Sequence, residues 1–242
     1  SAMGSETVST YDEVGRLLSA TDALGHVTGY EYDALGRATK ISYADGSSVS
    51  YTYNANGQVL TAANELGNVI SYAYDANGQL ISMTDAMGGI TVYAYDPVGN
   101  VISVTDALGG VVSYLYDEVG NISTVTDANG NTTSYAYDAL GRAVAITDPN
   151  GGITRAEYDH NGNVTKATDA EGNVTVYTYD ALDRLTSYTN AEGYIFSFQY
   201  DNEGNLIAST DGNGNTTRYI YDGLNRAVSS INAEGNSAYN TY

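Results

Sequence analysis

The sequence contains no cysteine and no tryptophan, two prolines, and nine basic side chains against 29 acidic ones. Each shortage excludes something. Without cysteine there is no disulfide framework and no thiolate metal site, and the redox compartment cannot be read from the chain. A formal charge of −20 leaves no basic patch of the kind that nucleic acid or anionic lipid requires. No apolar run approaches the ~18 residues of a membrane-spanning helix, so no membrane insertion is expected. Charged residues make up only 16% of the chain and hydrophobic ones 42%, which argues against disorder.

What the chain has in excess is tyrosine and glycine, 24 and 27 residues, and they are periodic. Tyr-Asp, or a near copy, begins at Tyr11 and returns every 21 residues as far as Tyr242. A fixed step of this size marks a quasi-one-dimensional array rather than one or two ordinary domains. Residues 1–5 (Ser1-Ala2-Met3-Gly4-Ser5) read as the remnant of a cleaved tag. Residues 6–10 lead in, and residues 11–242 form eleven repeats of 21. With the last residue on a repeat boundary, a segment of a longer protein is expected.

One repeat divides into two strands and two turns. Arg16–Thr21 is the first strand candidate and His26–Tyr32 the second. Asp22-Ala23-Leu24-Gly25 is a mid-repeat turn and Asp33-Ala34-Leu35-Gly36 a Tyr-Asp turn. Asp at the first turn position bonds its own backbone two residues on, and Gly at the fourth takes the left-handed conformation that closes a type I turn with a bulge. Pro97 and Pro149 each occupy the second turn position, where a φ fixed near −65° suits this turn.

The mid-repeat turn has glycine at every place: Gly25, Gly46, Gly67, Gly88, Gly109, Gly130, Gly151, Gly172, Gly193, Gly214 and Gly235. The Tyr-Asp turns supply Tyr32, Asp33 and Gly36; Tyr74, Asp75 and Gly78; Tyr95, Asp96 and Gly99; Tyr116, Asp117 and Gly120; Tyr137, Asp138 and Gly141. Tyr179 and Asp180 are followed by Asp183, and Tyr221 and Asp222 by Asn225, in the glycine's place. Asx residues are the best non-glycine occupants of the left-handed region. These are structural repeat residues: no Lys follows the glycines, as it would in a phosphate-binding loop.

Within strands, apolar and small residues alternate. Ile70, Tyr72 and Tyr74 share one face, and Val69, Ser71 and Ala73 the other. The predicted fold is all-β: eleven tandem 21-residue hairpins, about 22 strands, in one antiparallel sheet that coils into a spiral, a β-solenoid-like form or a shell wall, because a flat open sheet of that width is not expected. Nothing reads as helix.

The stretch Thr216-Thr217-Arg218-Tyr219-Ile220-Tyr221-Asp222-Gly223-Leu224-Asn225-Arg226 resembles the R-Y-x-Y-D-x-x-G-R core of the YD repeats, also called Rhs (RHS) repeats. Tyr137-Asp138-Ala139-Leu140-Gly141-Arg142, followed by Thr147-Asp148-Pro149-Asn150-Gly151, fits the same family frame. The resemblance covers residues 11–242. It implies a bacterial-type member of a family found in polymorphic toxins, the C component of toxin complexes and wall-associated proteins. It also implies hairpins in a spiralling sheet, often a hollow shell around a C-terminal toxin, and a secreted or cell-surface location. The Arg before the Tyr-x-Tyr position remains only at Arg155 and Arg218. The Arg after the turn remains at Arg16, Arg37, Arg142, Arg184 and Arg226, with Gln or Asn elsewhere.

No catalytic site stands out. His26 and His160 fall at different repeat positions and read as surface turn residues. Ser and Asp are abundant without a third partner for a nucleophilic triad. Acidic sets such as Asp169/Glu171 and Asp201/Glu203 are weak calcium candidates beside their role in capping turns, since calcium asks for 6–8 oxygens. No cofactor and no structural metal is expected. The leading reading is a non-catalytic wall or scaffold segment whose partners are flanking repeats and an enclosed C-terminal toxin. The alternative is a carbohydrate or cell-surface binding module using the tyrosine face. Unpaired edge strands at the two ends favour end-to-end self-association.

Overall fold

The computed structural model describes residues 7–242, so residues 1–6, including the five read above as a tag remnant, lie outside the described residues. Among the described residues there are 23 strands, from Val8–Tyr11 to Ser237–Tyr239, and no helix. All paired strands are antiparallel neighbours in the chain, as in Leu17–Thr21 with Val27–Tyr32 and Val27–Tyr32 with Ala38–Ser42. The extra strand over the expected 22 arises because 22 turns join 23 strands. The chain forms two compact units, residues 1–114 with 126–130 and residues 115–125 with 131–242. Within each, a strand touches only the strands before and after it. Mid-repeat turns line one edge of each unit and Tyr-Asp turns the other.

The strands are one residue shorter at their start than the sequence predicts: Leu17–Thr21 rather than from Arg16, and Val27–Tyr32 rather than from His26. The cause is the turn. Gly15 donates its N–H to the Asp12 carbonyl (3.1 Å) and Asp12 donates to the Arg16 carbonyl (2.9 Å), so Arg16 closes the turn instead of starting the ladder. His26 does the same for Asp22 at 3.0 Å. The mid-repeat glycines all sit at φ between 78° and 87°, and Asp183 and Asn225 at 60°.

The sequence pattern does not show a second irregularity. Thr10 pairs with Ser19 but Tyr11 with Leu17, so two residues of one strand oppose one of the other. The same shift recurs in other repeats, as at Thr52/Tyr53, Ala136/Tyr137 and Ile220/Tyr221. Such a bulge locally increases twist and bends the strand, and simple alternation fails there.

Neither unit has a conventional core. Only Ala208 and Ser229 are buried among the described residues, each 8% exposed, and no side chain is completely enclosed. One face carries Tyr30, Ile41, Val49 and Tyr51 in cross-strand register; the other carries Glu31, Lys40 and Ser50. Most side chains are therefore half-buried, and each repeat depends on its neighbours for cover.

Candidate functional site: the tyrosine, arginine and aspartate seam

The repeated motif assembles at the Tyr-Asp edge. Oδ1 of Asp12 accepts the backbone N–H of Val14 (3.0 Å) and of Arg16 (2.8 Å), while Oδ2 accepts Nε of Arg16 (2.6 Å). This fixes the turn and aims the guanidinium at the next repeat. There the Arg16 guanidinium lies over the Tyr32 ring, 5.1 Å from its centroid, and Nη1 donates to the Asp33 carbonyl at 3.2 Å. The Tyr32 hydroxyl returns the link, donating to the Leu17 carbonyl at 2.8 Å. Leu17 lies beyond Ser19↔Gly29, the last register pair of those two strands, so the hydroxyl satisfies a carbonyl that this ladder has left behind. Tyr, Asp, Gly and Arg of the motif are thus one fastening between successive repeats.

The arrangement repeats where arginine is present. Arg37 bonds Asp33, stacks 4.7 Å from Tyr53 and donates to the Asn54 carbonyl at 3.0 Å. Arg142 and Arg184 do the same with Asp138, Tyr158 and Asp159, and with Asp180, Tyr200 and Asp201. Arg226 bonds Asp222 and stacks on Tyr242. The hydroxyls of Tyr74, Tyr95, Tyr137, Tyr179 and Tyr221 donate to Val59, Leu80, Ile122, Val164 and Leu206 at 2.8 to 3.0 Å. Each link is modest: about 0.5–1.5 kcal/mol for a hydrogen bond, and about 0.5–1 kcal/mol for an exposed cation–π pair.

Burial and hydrogen bonding shape the carboxylates. Asp33 is held below its ordinary 3.8, first by the backbone N–H of Arg37. Partial desolvation opposes this, and the Arg37 guanidinium and the Leu35 N–H add to it. For Asp138 the Arg142 guanidinium comes first, then the Arg142 N–H. Asp22 is lowered first by the backbone N–H of His26 and then by its ring, whose Nδ1 lies 2.9 Å from Oδ2. In the acidic sets named above, Asp169 accepts from Glu171 N, Asn173 N and Asn173 Nδ2, and Asp201 from Asn205 N and Nδ2. Their oxygens cap turns. Among the described residues no group of three or more His, Cys, Asp or Glu is placed to hold a metal ion.

Sequence reasoning missed the work of the residue after the turn. Its signal is the fixed four-residue offset from the lead Asp. Where arginine is absent, a shorter amide takes over: Asn100, Asn163 and Asn205 donate to Asp96, Asp159 and Asp201 at 2.8 to 3.0 Å. The two exceptional turns now have a partner. Asp183 Oδ1 accepts Nδ2 of Asn161 and of Asn163, each at 2.7 Å, and Asn225 Oδ1 accepts Nδ2 of Asn205 at 3.0 Å. Both follow a repeat that carries asparagine. Gln58 instead reaches the Gly78 carbonyl at 2.8 Å, and a Cβ at Gly78 would lie 3.2 Å from its Nε2. At Gly141 a Cβ would meet only Asn121 Oδ1, at 3.7 Å. Gly78→Asn is therefore expected to cost about 1 kcal/mol more than Gly141→Asn, roughly the loss of one hydrogen bond. Urea titration of both variants checks this; equal costs would remove the coupling.

The repeat breaks once on the aromatic face. Tyr188 stacks on Phe196 with centroids 4.5 Å apart and 9° between planes, and lies 6.2 Å from both Tyr177 and Phe198. Tyr194, 48% exposed, stands beside a cleft of about 320 Å³ shared with Phe196, Asp211, Gly212 and Asn213. A Cβ at Gly212 would sit 2.7 Å from that of Tyr194, so the missing side chain makes room for the ring.

An RHS repeat family model matches residues 11–48, 33–69, 53–90, 74–111, 95–131, 116–153, 158–195 and 200–237. No curated protein matches the chain. Among solved structures, TcdB2-TccC3-TEV aligns over 93% of this chain with a TM-score of 0.71 and 18% identity. TcdB2-TccC3 without its hypervariable C-terminal region aligns over 93% with a TM-score of 0.55 and 18% identity. A mutant Photorhabdus luminescens Tc holotoxin pore aligns over 95% with a TM-score of 0.51 and 16% identity. The chain spans 14%, 15% and 17% of those chains. At such identities the likeness is one of fold.

Proposed function

Because the chain belongs to the RHS repeat family, we propose that it is a non-catalytic structural segment of a larger secreted or surface protein, forming part of a wall that encloses or presents a C-terminal effector. The observation that carries this reading is where the polar groups of the motif go. The Asp carboxylates close turns, and the Arg side chains and second tyrosines fasten one repeat to the next; even where Asp138, Arg142 and Tyr158 border an open cleft of about 450 Å³, they bond one another and backbone groups. The fold likeness to the TcdB2-TccC3 structures supports it.

A second reading, a carbohydrate-binding module, has one observation in its favour: the aromatic break at Tyr188, Tyr194 and Phe196. Limited proteolysis of the longer protein separates the two. A wall protects the segment that follows the array until the array itself unfolds. Immediate cleavage of that segment, together with millimolar binding of neutral oligosaccharide that is lost in Tyr194→Ala, would favour the second reading.

A further inference from the structure

The cleft of about 450 Å³ beside the Arg142 seam has a second border, made by Arg155, Lys166 and Thr168. Three of the nine basic side chains of the sequence thus meet at one place. Arg142 is committed to the seam, held by Asp138 and stacked on Tyr158. Arg155 is exposed, and among the described residues no hydrogen bond or ion pair engages it. Lys166 pairs with Glu157, Nζ to Oε1 at 2.7 Å, with the two side chains 41% and 64% exposed. So exposed a pair contributes little, and the ammonium is free to turn to another acceptor.

The register sets Arg155 opposite Thr168 and Glu157 opposite Lys166. Arg155 and Lys166 are therefore diagonal neighbours on one face, within reach of one small ligand. The repeat does not demand them. The Arg155 position is basic in one other repeat, at Arg218, and the Lys166 position in one other, at Lys40. Arg218 is matched by Ser229 and Lys40 by Gly29, so the two positions are basic together once.

We propose that this cleft binds an acidic sugar, one uronic acid unit. Arg155 and Lys166 take the carboxylate, Thr168 a ring hydroxyl, and Val144, Ala145 and Ala156 the C–H face of the ring. A guanidinium presents its N–H groups as a fork that matches a carboxylate. A peptide is a poorer fit. Ile153–Tyr158 and Val164–Thr168 are each paired on both sides, so no strand edge is open for a backbone to join. Nucleic acid is a poorer fit still, since two cations beside Glu157 do not neutralise a run of phosphates. The site is separate from the aromatic break at Tyr194 and stands whichever reading of the array holds.

NMR titration of the full chain with glucuronate, glucose and acetate at equal ionic strength tests this. Glucuronate is expected to move amides around Arg155 and Lys166 and to bind about tenfold more tightly than glucose, as one added charge-assisted contact would give. Arg155→Ser and Lys166→Thr introduce residues that the array already holds at Ser134 and Thr124, and circular dichroism checks that the fold is kept. Each should weaken glucuronate about tenfold and leave glucose unchanged. Arg218→Ser, at the same repeat position outside the cleft, should change nothing. Glu157→Gln, which copies Gln199, releases Lys166 and should tighten glucuronate about threefold. Glucuronate that does not bind, or binds no better than glucose or acetate, overturns the proposal. So does an Arg218→Ser variant as impaired as Arg155→Ser, or weaker binding in Glu157→Gln.

Discussion

Acidification is expected to melt the array through a narrow window below pH 3.8, with stability nearly flat or slightly rising from pH 7 down to about 4. Thirteen aspartates of the described residues have their pKa lowered from 3.8. A carboxylate with a depressed folded pKa contributes stability that is fully present above its unfolded value and is lost as pH falls through the folded one. Each protonation weakens a turn acceptor, which in most of these turns holds two backbone N–H groups, as at Asp33 with Leu35 and Arg37. An opposing effect acts first. The charge of −20 disappears as pH approaches the sequence pI of 4.1, which relieves repulsion. Equivalent turns lie two strands or roughly 10 Å apart, and a screening length of ~8 Å at physiological salt keeps that relief small. Below 3.8 the loss of turn caps dominates, because it strikes thirteen turn aspartates together. Thermal melts at dilute concentration from pH 7 to pH 2 check the shape. A steady decline beginning near pH 6 would show that the caps are not the acid-sensitive element.

Much of this was legible in the residues because the repeat multiplies weak signals. A single Asp-x-x-Gly is a common turn; eleven mid-repeat glycines at one spacing leave no other backbone conformation that suits them all, and each has a φ near 80°. Tyr-x-Tyr alternation likewise gave the strands. What the residues did not show is long-range in a specific sense. Arg16 acts on Tyr32 and Asp33 in the next repeat, a partnership that no spacing rule for strands anticipates. The bulge beside Leu17 depends on how two strands close after the turn, and two adjacent leucines read equally well as alternating positions. Asp183 was legible as a tolerable left-handed residue. That it accepts from Asn161 and Asn163 required knowing that those side chains, 22 and 20 residues earlier, lie beside it. The aromatic break was visible as letters, since Tyr188 and Phe196 stand where Ile146 and Thr154 stand two repeats earlier, but stacking is a statement about ring planes.

The seam between Arg142 and Tyr158 gives the second large effect. Tyr158→Ala removes the ring under the guanidinium, 4.6 Å from Cζ, and the hydroxyl that donates to the Ala143 carbonyl at 2.8 Å. Deleting a core aromatic costs about 3–5 kcal/mol; Tyr158 is only half-buried, so about 2–3 kcal/mol is expected. Tyr158→Phe keeps the ring and loses the hydroxyl, for about 1 kcal/mol. Arg142→Asn is the substitution that the chain itself makes one repeat later, where Asn163 donates to Asp159 at 3.0 Å. It should hold Asp138 but abandon the ring and the Asp159 carbonyl, and so cost less than Arg142→Ala. A double-mutant cycle of Arg142→Asn with Tyr158→Phe should be nearly additive, because the stack is lost through the arginine and the hydroxyl through the tyrosine. With Tyr158→Ala instead, a coupling of about 0.5–1 kcal/mol should appear, the size of an exposed cation–π pair. Contacts in each unit run only between neighbouring strands, so weakening one seam lowers an interface rather than a shared core. The melt of Tyr158→Ala should then broaden or divide into two transitions, with the repeats on either side of the seam unfolding separately. A single sharp transition, shifted but undivided, would show that cohesion reaches beyond nearest-neighbour repeats.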